Sequence, residues 1–360
     1  MNNVLHKVRD LIGGRYRIVR EVGQGGMQEV YAAHDELLSR TVALKVPKSS
    51  SAEKRFKRSA VLSGKVNHAN VAKTLDYLEE NQRFYLIEEL IDGCDLATLL
   101  TDYVPSLDPY AVARALHHLA KGLAASHHVD VVHRDLKPSN VMVVGGAEVV
   151  AFKITDFGIA KMAEKEIGDA VEGGDAGLTA SQTALGALPY MAPEMIEDLK
   201  SAGKPADIWS LGAMTLELMT GRRPFGQGYK AVPAIMNAKL PAFPPTMEAN
   251  PQFAPLGREI YALVTKCMQK QPGDRLTADQ LVNACEQLCY SVSPREFGTI
   301  KTLKYNKHGF ICSEHPTRPD VFYHVESVYG TKGISEGQRV WFSRYPGTPR
   351  ERAFPVVIAK

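Results

Sequence analysis

The sequence predicts an α+β protein in which a large mixed domain precedes a small all-β domain. Residues 16–22 alternate like a strand and run into a glycine-rich segment, residues 202–290 have the pattern of packed helices, and residues 297–345 change to short β-like runs. At 360 residues the chain has room for about two domains. We therefore predict an N-terminal extension at residues 1–14, a large domain at 15–290 and a small domain at 295–360.

Charge is nearly balanced over the whole chain but is unevenly distributed. Residues 295–360 carry 11 Lys and Arg against 6 Asp and Glu, whereas the remainder carries 32 against 34. A basic small domain on a weakly acidic body indicates that the small domain meets a polyanion. Ordinary surface lysines explain the same charge nearly as well.

Cysteine usage and hydropathy indicate the cellular setting. The five cysteines are odd in number and lack metal-ligand spacing, so we expect free thiols (Cys94, Cys267, Cys285, Cys289 and Cys312). No apolar run reaches the length of a membrane span, and residues 1–14 lack the apolar core of a signal peptide. The sequence therefore predicts a reducing, cytoplasmic setting with no membrane partner.

The first elements are predicted from local patterning. Val4, Leu5, Val8, Leu11 and Ile12 predict a short amphipathic helix that ends at a Gly-Gly pair. The strand at residues 16–22 then leads into a run of glycines at residues 23–26. Glycines there would let backbone N–H groups approach phosphates, although a plain hairpin turn has the same composition.

The segment from His133 to Asn140 carries the most chemically informative residues. Asp135, Lys137 and Asn140 follow an apolar run. Asp156 lies sixteen residues after Asn140, at the start of Asp-Phe-Gly. Phosphoryl transfer needs an Asp to accept a hydroxyl proton, a Lys to meet the γ-phosphate, and Asn and Asp oxygens to hold metal ions. A capped turn beside an unrelated Asp-Phe-Gly is the plain alternative. The complete eight-residue loop at this distance argues against it.

With these segments in order, residues 15–290 resemble a serine/threonine protein kinase, and most closely the bacterial members of the eukaryotic-type superfamily. The further matching motifs are Gly23 to Met27, Tyr190-Met191-Ala192-Pro193-Glu194, Asp207-Ile208-Trp209-Ser210-Leu211-Gly212, Gly221-Arg222-Arg223-Pro224-Phe225 and Asp274-Arg275-Leu276-Thr277. The resemblance implies a two-lobed protein kinase fold. A small lobe of five strands and one key helix (residues 15–91) would lie over a mostly helical large lobe (residues 92–290). ATP with Mg²⁺ or Mn²⁺ would bind between them, and a protein with Ser or Thr would be the second substrate.

The resemblance also assigns site residues. The nucleotide-binding set would be Val22, Gly23, Gln24, Gly25, Gly26, Val30, Ala43, Lys45, Glu89, Ile91, Asp95 and Met142. In it, backbone groups of Glu89 and Ile91 would meet adenine, and Asp95 would bond a ribose hydroxyl. The catalytic set would be Lys45, Asp135, Lys137, Asn140 and Asp156, with Asn140 and Asp156 as the metal ligands. Lys137 favours Ser/Thr over Tyr substrates. Asp207 would hold the catalytic-loop backbone, and Glu194 would pair with Arg275.

Three positions depart from the family pattern. Ser59 stands where a helix glutamate normally pairs with the strand lysine, and Glu53 lies six residues earlier on another face of the helix. We therefore expect Lys45 to be oriented by Asp156 or by phosphates, and Ser59→Glu to restore the pair and raise turnover. Ala187 replaces the threonine that ties the substrate loop to the catalytic residues, and Glu88 replaces an apolar gatekeeper. A nucleotide-binding pseudokinase scaffold is the alternative, against which the complete catalytic loop argues.

A long loop between Asp156 and Glu194 is a candidate for regulation. Residues 168–177 are rich in Gly, Asp and Glu, and Thr179, Ser181 and Thr183 follow directly. In the family, the residue matching Arg134 commonly pairs with a loop phosphate. A phosphate would add about −1.5 to −2 charges and order the loop through that pair. A hydrophilic linker with incidental hydroxyls is the plain reading.

The small domain resembles a cold-shock domain, a five-stranded barrel of the OB type. The matching segments are Gly298-Thr299-Ile300-Lys301, Lys307-His308-Gly309-Phe310-Ile311, residues 320–324 and residues 336–342. Strand alternation puts Phe322 and His324 on one face, and the resemblance adds Phe310 to a set that would stack single-stranded RNA or DNA. The early Trp-Phe of the family is Thr302-Leu303 here, and one aromatic is missing near His308. Aromatic filling of a barrel core and a protein-docking barrel are the alternatives.

Overall fold

The computed structural model describes residues 5–24, 28–48, 50–157, 186–198, 202–248, 250–330 and 333–360. Of residues 24, 50–55, 58 and 246 it describes the backbone alone. Gly25, Gly26, Gly158 and the candidate phosphorylation residues Thr179, Ser181 and Thr183 lie outside the described residues. Within the described residues, no helix is both long and apolar enough to span a membrane.

The small lobe is an antiparallel sheet with one helix packed on it. Its strands are β1 (Leu11–Ile12), β2 (Tyr16–Gln24), β3 (Gln28–Asp35), β4 (Arg40–Pro47), β5 (Thr74–Glu80) and β6 (Arg83–Glu89), and the helix is α1 (Ser50–Ser63). The spatial order of the strands is β1-β2-β3-β4-β6-β5. β4 is buried from Val42 to Pro47 because the sheet has a core on one face and the interlobe cleft on the other.

The predicted N-terminal helix is wrong. Leu11 and Ile12 instead form β1, which pairs with β2 through a turn at Gly13 and Gly14, both with positive φ (59° and 61°). Val8 is 61% exposed, so the apolar residues do not share the buried stripe that a helix would need. The preceding segment is held by the ring of His6, which packs between two tyrosines of the small-lobe sheet.

The large lobe is mostly helical, as the resemblance implied. Its described helices are α2 (Leu96–Thr98), α3 (Pro109–His128), α4 (Pro193–Glu197), α5 (Lys204–Thr220), α6 (Val232–Met236), α7 (Pro245–Glu248), α8 (Ala254–Cys267) and α9 (Ala278–Cys285), and a π-helix (Leu99–Tyr103) continues α2. Every residue of α5 from Ala206 to Leu216 is buried, because other elements cover it all round. A three-stranded sheet of β7 (Gly93–Asp95), β8 (Val141–Val144) and β9 (Ala151–Ile154) forms the cleft side of this lobe.

The C-terminal part is a closed barrel, as predicted. Its strands are β10 (Arg295–Lys304), β11 (His308–Ser313), β12 (Val321–His324), β13 (Val328–Tyr329), β14 (Arg339–Tyr345) and β15 (Arg352–Ile358). Five of them close the ring in the order β12-β11-β10-β14-β15, because β12 also pairs with β15 at Phe322 and Arg352, and the short β13 lies beside β15. A Cβ on Gly309 would lie 1.7 Å from the carbonyl oxygen of Thr302. Only glycine therefore fits at this point, where β11 pairs with β10.

The barrel and the large lobe share one hydrophobic core. On β14, Val340 and Phe342 point into the barrel, while Trp341 points out and is fully buried against the large lobe. The Trp341 indole N–H donates to the carbonyl of Ala147 at 2.6 Å. The Tyr329 hydroxyl donates to the carbonyl of Met219 at 2.9 Å. The barrel is therefore packed against the helical lobe, and it is not attached through the chain alone.

A buried ion pair crosses this interface. Arg295 donates to Asp108 at 2.6 Å, and the two side chains are 5% and 0% exposed. Asp108 also caps α3 by accepting from the backbone N–H of Tyr110. The Arg295 guanidinium lies 4.7 Å from the centre of the Trp341 ring. One carboxylate thus fixes both the start of α3 and the barrel.

We expect Arg295→Met to lower the free energy of unfolding by about 3–5 kcal/mol, because it leaves the buried Asp108 carboxylate uncompensated. Urea unfolding followed by circular dichroism measures this. Arg17→Met is the matched control, because Arg17 and Glu36 form an exposed ion pair and its loss should cost about 0–1 kcal/mol. Equal costs for the two variants would contradict a structural role for the buried pair.

Candidate active site

A cleft of about 1370 Å³ separates the two lobes and gathers most of the predicted site residues. Those that line it are Val22, Gly23, Val30, Ala43, Lys45, Glu89, Ile91, Asp95, Asp135, Lys137, Asn140, Met142 and Asp156. Gln24 is the last residue of β2, and only its backbone is described. The side chains of Val30, Ala43 and Met142 come from three different strands and give the cleft apolar walls.

The candidate catalytic loop, residues 133–140, is held by hydrogen bonds among its own residues. Pro138 begins a 3₁₀ turn that ends at Asn140. The Asn140 amide donates to the backbone carbonyl of Asp135 at 2.7 Å and to its carboxylate at 3.1 Å. The Lys137 ammonium donates to the same carboxylate at 2.8 Å. The Asp135 side chain therefore has a fixed position facing the cleft, beside a cation.

Asp207 anchors this loop from the buried helix α5. Its carboxylate accepts from the backbone N–H groups of His133 (2.9 Å) and Arg134 (2.8 Å), and also from the ring of His127. Arg134 has a φ of 67°, a left-handed conformation that costs free energy in a residue with a side chain. The two charge-assisted bonds stabilise that backbone. The predicted pair between Glu194 and Arg275 is also present, at 2.6 Å.

Asp156 lines the same cleft and also has a left-handed φ, of 60°. Its carboxylate accepts from Lys45 at 2.7 Å and from the side-chain amide of Gln28 at 3.2 Å. Burial opposes ionisation, but the Lys45 charge and these hydrogen bonds hold the pKa of Asp156 below its usual range. Gln28 was missed in the sequence analysis, because nothing in the motif order brings β3 to the Asp-Phe segment.

Glu88, on strand β6, supplies a carboxylate partner for Lys45. Its carboxylate lies 2.7 Å from the Lys45 ammonium, and the two side chains are 5% and 8% exposed. Burial raises the pKa of Glu88, and Lys45 opposes that rise. Although burial acts against it, the two carboxylates raise the pKa of Lys45. Lys45 is therefore an ammonium between two acidic groups, and its partner comes from the neighbouring strand.

Ser59 does not leave a vacant place. It is buried at 2% exposure, and its hydroxyl donates to the backbone carbonyl of Phe157. That Ser59→Glu would restore a pair with Lys45 and raise turnover stays a prediction. Two contacts count against it, because Lys45 already pairs with Glu88 and the buried serine is hydrogen-bonded. Ala187 is buried at 9% exposure and has no hydroxyl to offer to Asp135 or Lys137.

The side chains of Glu89 and Asp95, both predicted to lie at the nucleotide, already have partners within the protein. The Glu89 carboxylate pairs with Lys153 at 2.7 Å, which leaves its backbone carbonyl as the group available to a base. The Asp95 carboxylate accepts from the backbone N–H of Thr98 at 2.9 Å and from its hydroxyl at 2.7 Å, and so caps α2. A ribose hydroxyl would have to share that carboxylate.

The donors at the catalytic end of the cleft fit a hard divalent cation. Asn140 offers a carboxamide oxygen and Asp156 a carboxylate, and both line the same cleft. Mg²⁺ prefers oxygen ligands and is commonly held by one or two protein groups together with phosphate oxygens and waters. Asn140 and Asp156 are suited to such a site.

A second candidate site lies on the barrel. Phe310 and Phe322 are cross-strand partners on β11 and β12, with ring centres 6.0 Å apart, and His308 faces His324 on the same two strands. These side chains are half-buried, whereas their alternate neighbours on β12 are fully buried. The Arg352 guanidinium lies 5.7 Å from the Phe322 ring centre. The predicted alternation of β12 is thus present, and these aromatic side chains lie on the outer face.

Comparison with known proteins gives one family match, to the protein kinase domain over residues 16–285. Similar curated proteins include the serine/threonine-protein kinase PrkC of Bacillus subtilis, 30% identical over 269 residues, which covers 73% of this chain and 39% of that protein. The probable serine/threonine-protein kinase PknB of Lactococcus lactis is 31% identical over 277 residues (75% and 41%). The serine/threonine-protein kinase PkaA of Streptomyces coelicolor is 31% identical over 290 residues (75% and 49%). The chain spans less than half the length of each of these relatives.

We expect Ser59→Glu to lower stability by about 2 kcal/mol or more, because it forces a longer, charged side chain into a filled position. Thermal unfolding and nucleotide binding measure the effect. Ser59→Ala is the matched control, since it removes the bond to Phe157 without adding bulk and should cost about 1 kcal/mol. Tighter nucleotide binding in Ser59→Glu than in the wild type would contradict this interpretation.

Proposed function

The chain belongs to the protein kinase family over residues 16–285, and we propose that it transfers the γ-phosphate of ATP to Ser or Thr hydroxyls of a protein substrate. The observation that carries the proposal is the convergence of Lys45, Asp135, Asn140 and Asp156 on one cleft. The names of the similar proteins support Ser/Thr specificity.

Each side chain has a role that its surroundings support. Asp135 would orient the substrate hydroxyl and accept its proton, and Lys137, 2.8 Å away, would neutralise charge on the transferring phosphate. Lys45 would hold phosphates nearer the base. Asn140 and Asp156 would hold Mg²⁺, or Mn²⁺ in its place, which supplies positive charge to the phosphates. All of this is positioning and electrostatics, which is the main demand of phosphoryl transfer.

The rival reading is a nucleotide-binding pseudokinase scaffold. Ser59 and Ala187 favour it, because each removes a contact that is usual in the family. The 2.7 Å pair between Lys45 and Glu88 argues against it, since the lysine still has a carboxylate partner in the cleft. We therefore favour the active enzyme.

Phosphorylation in the loop at residues 179–183 is part of the proposal. In the described part of the chain, the Arg134 Nε is buried and has no hydrogen-bond partner. Such a group is costly unless something pairs with it, and a phosphate on Thr179, Ser181 or Thr183 has the required charge. Arg134 neighbours Asp135, so the pair would connect the loop to the catalytic residues.

We expect the wild-type protein to incorporate labelled phosphate from Mg-ATP. Asp135→Asn should lower the rate of incorporation at least about a hundredfold, as is usual for loss of a general base. Mass spectrometry should find phosphate in residues 179–183 of the wild type and none in Asp156→Asn. Equal labelling of wild type and Asp156→Asn would indicate a contaminating kinase and defeat the claim.

We also propose that the barrel is a cold-shock-like domain that binds single-stranded RNA or DNA. Its outer face carries Phe310, Phe322 and His324 beside Arg350 and Arg352, whose guanidinium groups lie 6.0 Å and 5.7 Å from the phenylalanine ring centres. Aromatic rings stack on bases of any sequence, and arginines follow the phosphates. A protein-docking barrel is the alternative. Another part of the barrel's outer surface, around Trp341, is already covered by the chain's own large lobe.

We expect Phe322→Ala in the full chain to weaken binding of a single-stranded oligonucleotide by about 1–3 kcal/mol while the melting temperature is kept. The full chain is needed because the isolated barrel would expose Trp341. Phe84→Ala, which changes a half-buried phenylalanine of the small lobe, is the control and should leave binding unchanged. Absence of binding by the wild type at low salt would reject the nucleic-acid proposal.

A further inference from the structure

We propose that Glu88 is the positioning residue for Lys45, so that strand β6 does in this protein what the missing glutamate of α1 would have done. The inference rests on the proposed kinase function and names a residue that it depends on. Glu88 stands at the gatekeeper position of the cleft. Its negative charge would hold the Lys45 ammonium in place, and Lys45 would in turn bind the phosphates of the nucleotide.

The sheet places the two side chains together. β4 and β6 are hydrogen-bonded antiparallel neighbours, in which Ala43 faces Glu88 and Lys45 faces Leu86. Lys45 and Glu88 are therefore diagonal neighbours on the cleft face, within reach of each other for long side chains. Both line the cleft, and the nitrogen–oxygen distance is 2.7 Å.

Lys45 needs a partner other than Asp156. Asp156 already accepts from Lys45 and from Gln28, and in the proposed function it also holds the metal ion. A lysine held by Asp156 alone would have to share that carboxylate with the metal. Glu88 gives the ammonium a second carboxylate, on the side of β6, that the metal does not require.

The source of the partner changes what controls the lysine. A glutamate on a helix reaches the strand lysine only when the helix is docked, whereas Glu88 and Lys45 are fixed by the register of two paired strands. Among the α1 residues whose side chains are described, Ser59 approaches the site, and its hydroxyl bonds to the Phe157 carbonyl. The position of Lys45 is therefore set within the sheet.

A double-mutant cycle on the full chain tests the proposal. The variants are Glu88→Gln, Lys45→Met and the two combined, and the readout is the dissociation constant of Mg-ATP from equilibrium binding, with thermal unfolding beside it. Glu88→Gln keeps the size of the side chain and removes its charge. We expect it to weaken Mg-ATP binding about tenfold, and to have no further effect when Lys45 is already Met.

Glu29→Gln is the matched control, because Glu29 is a glutamate of the same lobe, 3% exposed, that bonds to the backbone of Leu5 and to Tyr31 away from the cleft. It should leave Mg-ATP binding unchanged. Glu88→Asp keeps the charge on a shorter side chain and should retain part of the wild-type affinity, which keeps the test open if Glu88→Gln unfolds.

Unchanged or tighter Mg-ATP binding by Glu88→Gln would overturn the proposal, since Glu88 would then only sequester the lysine. An equal loss in the Lys45→Met background would also overturn it, because Glu88 would act without Lys45. Binding does not require turnover. A wild type that binds Mg-ATP but transfers no phosphate would defeat the proposed kinase activity and leave this test intact.

Discussion

The complete burial of α5 is the constraint on which the rest of the molecule depends. Its residues from Ala206 to Leu216 are enclosed on every side, so the helix cannot shift without disturbing the core. Polar groups on this rigid element fix the parts around it. Asp207 holds the catalytic loop, Ser210 donates to the carbonyl of Tyr190, and the Met219 carbonyl accepts from the barrel. The left-handed backbone of Arg134 is maintained because its N–H donates to Asp207, and α5 holds Asp207 in a fixed position.

How much of the molecule could be predicted from the sequence depends on how far apart the interacting residues are. Asp135, Lys137 and Asn140 lie within six residues, and a motif of that length identifies both a turn and its chemistry. The two-lobed fold and the closed barrel followed from many such motifs in order. The N-terminal helix was wrong because the partner of Leu11 and Ile12 is a strand, and a local apolar pattern does not show what will cover it.

The interactions that sequence reasoning missed depend on strand register or on packing between distant parts. The pairing of Lys45 with Glu88 requires β4 and β6 to be aligned, and the sequence contained both residues without the alignment. The run Val340-Trp341-Phe342 held a usable signal, because a strand with consecutive large apolar residues is covered on both faces. The sequence did not show that the large lobe is what covers the outer face of this strand at Trp341.

The shared core of barrel and large lobe also bears on modularity. The family match ends at residue 285, yet Phe297, Tyr329, Trp341 and Val357 complete the interior of the domain that it describes. A chain cut at that boundary would present an uncovered apolar surface on its catalytic lobe. The barrel is therefore not an independent cassette, because a change in the size of a side chain on one side of the interface must be accommodated on the other.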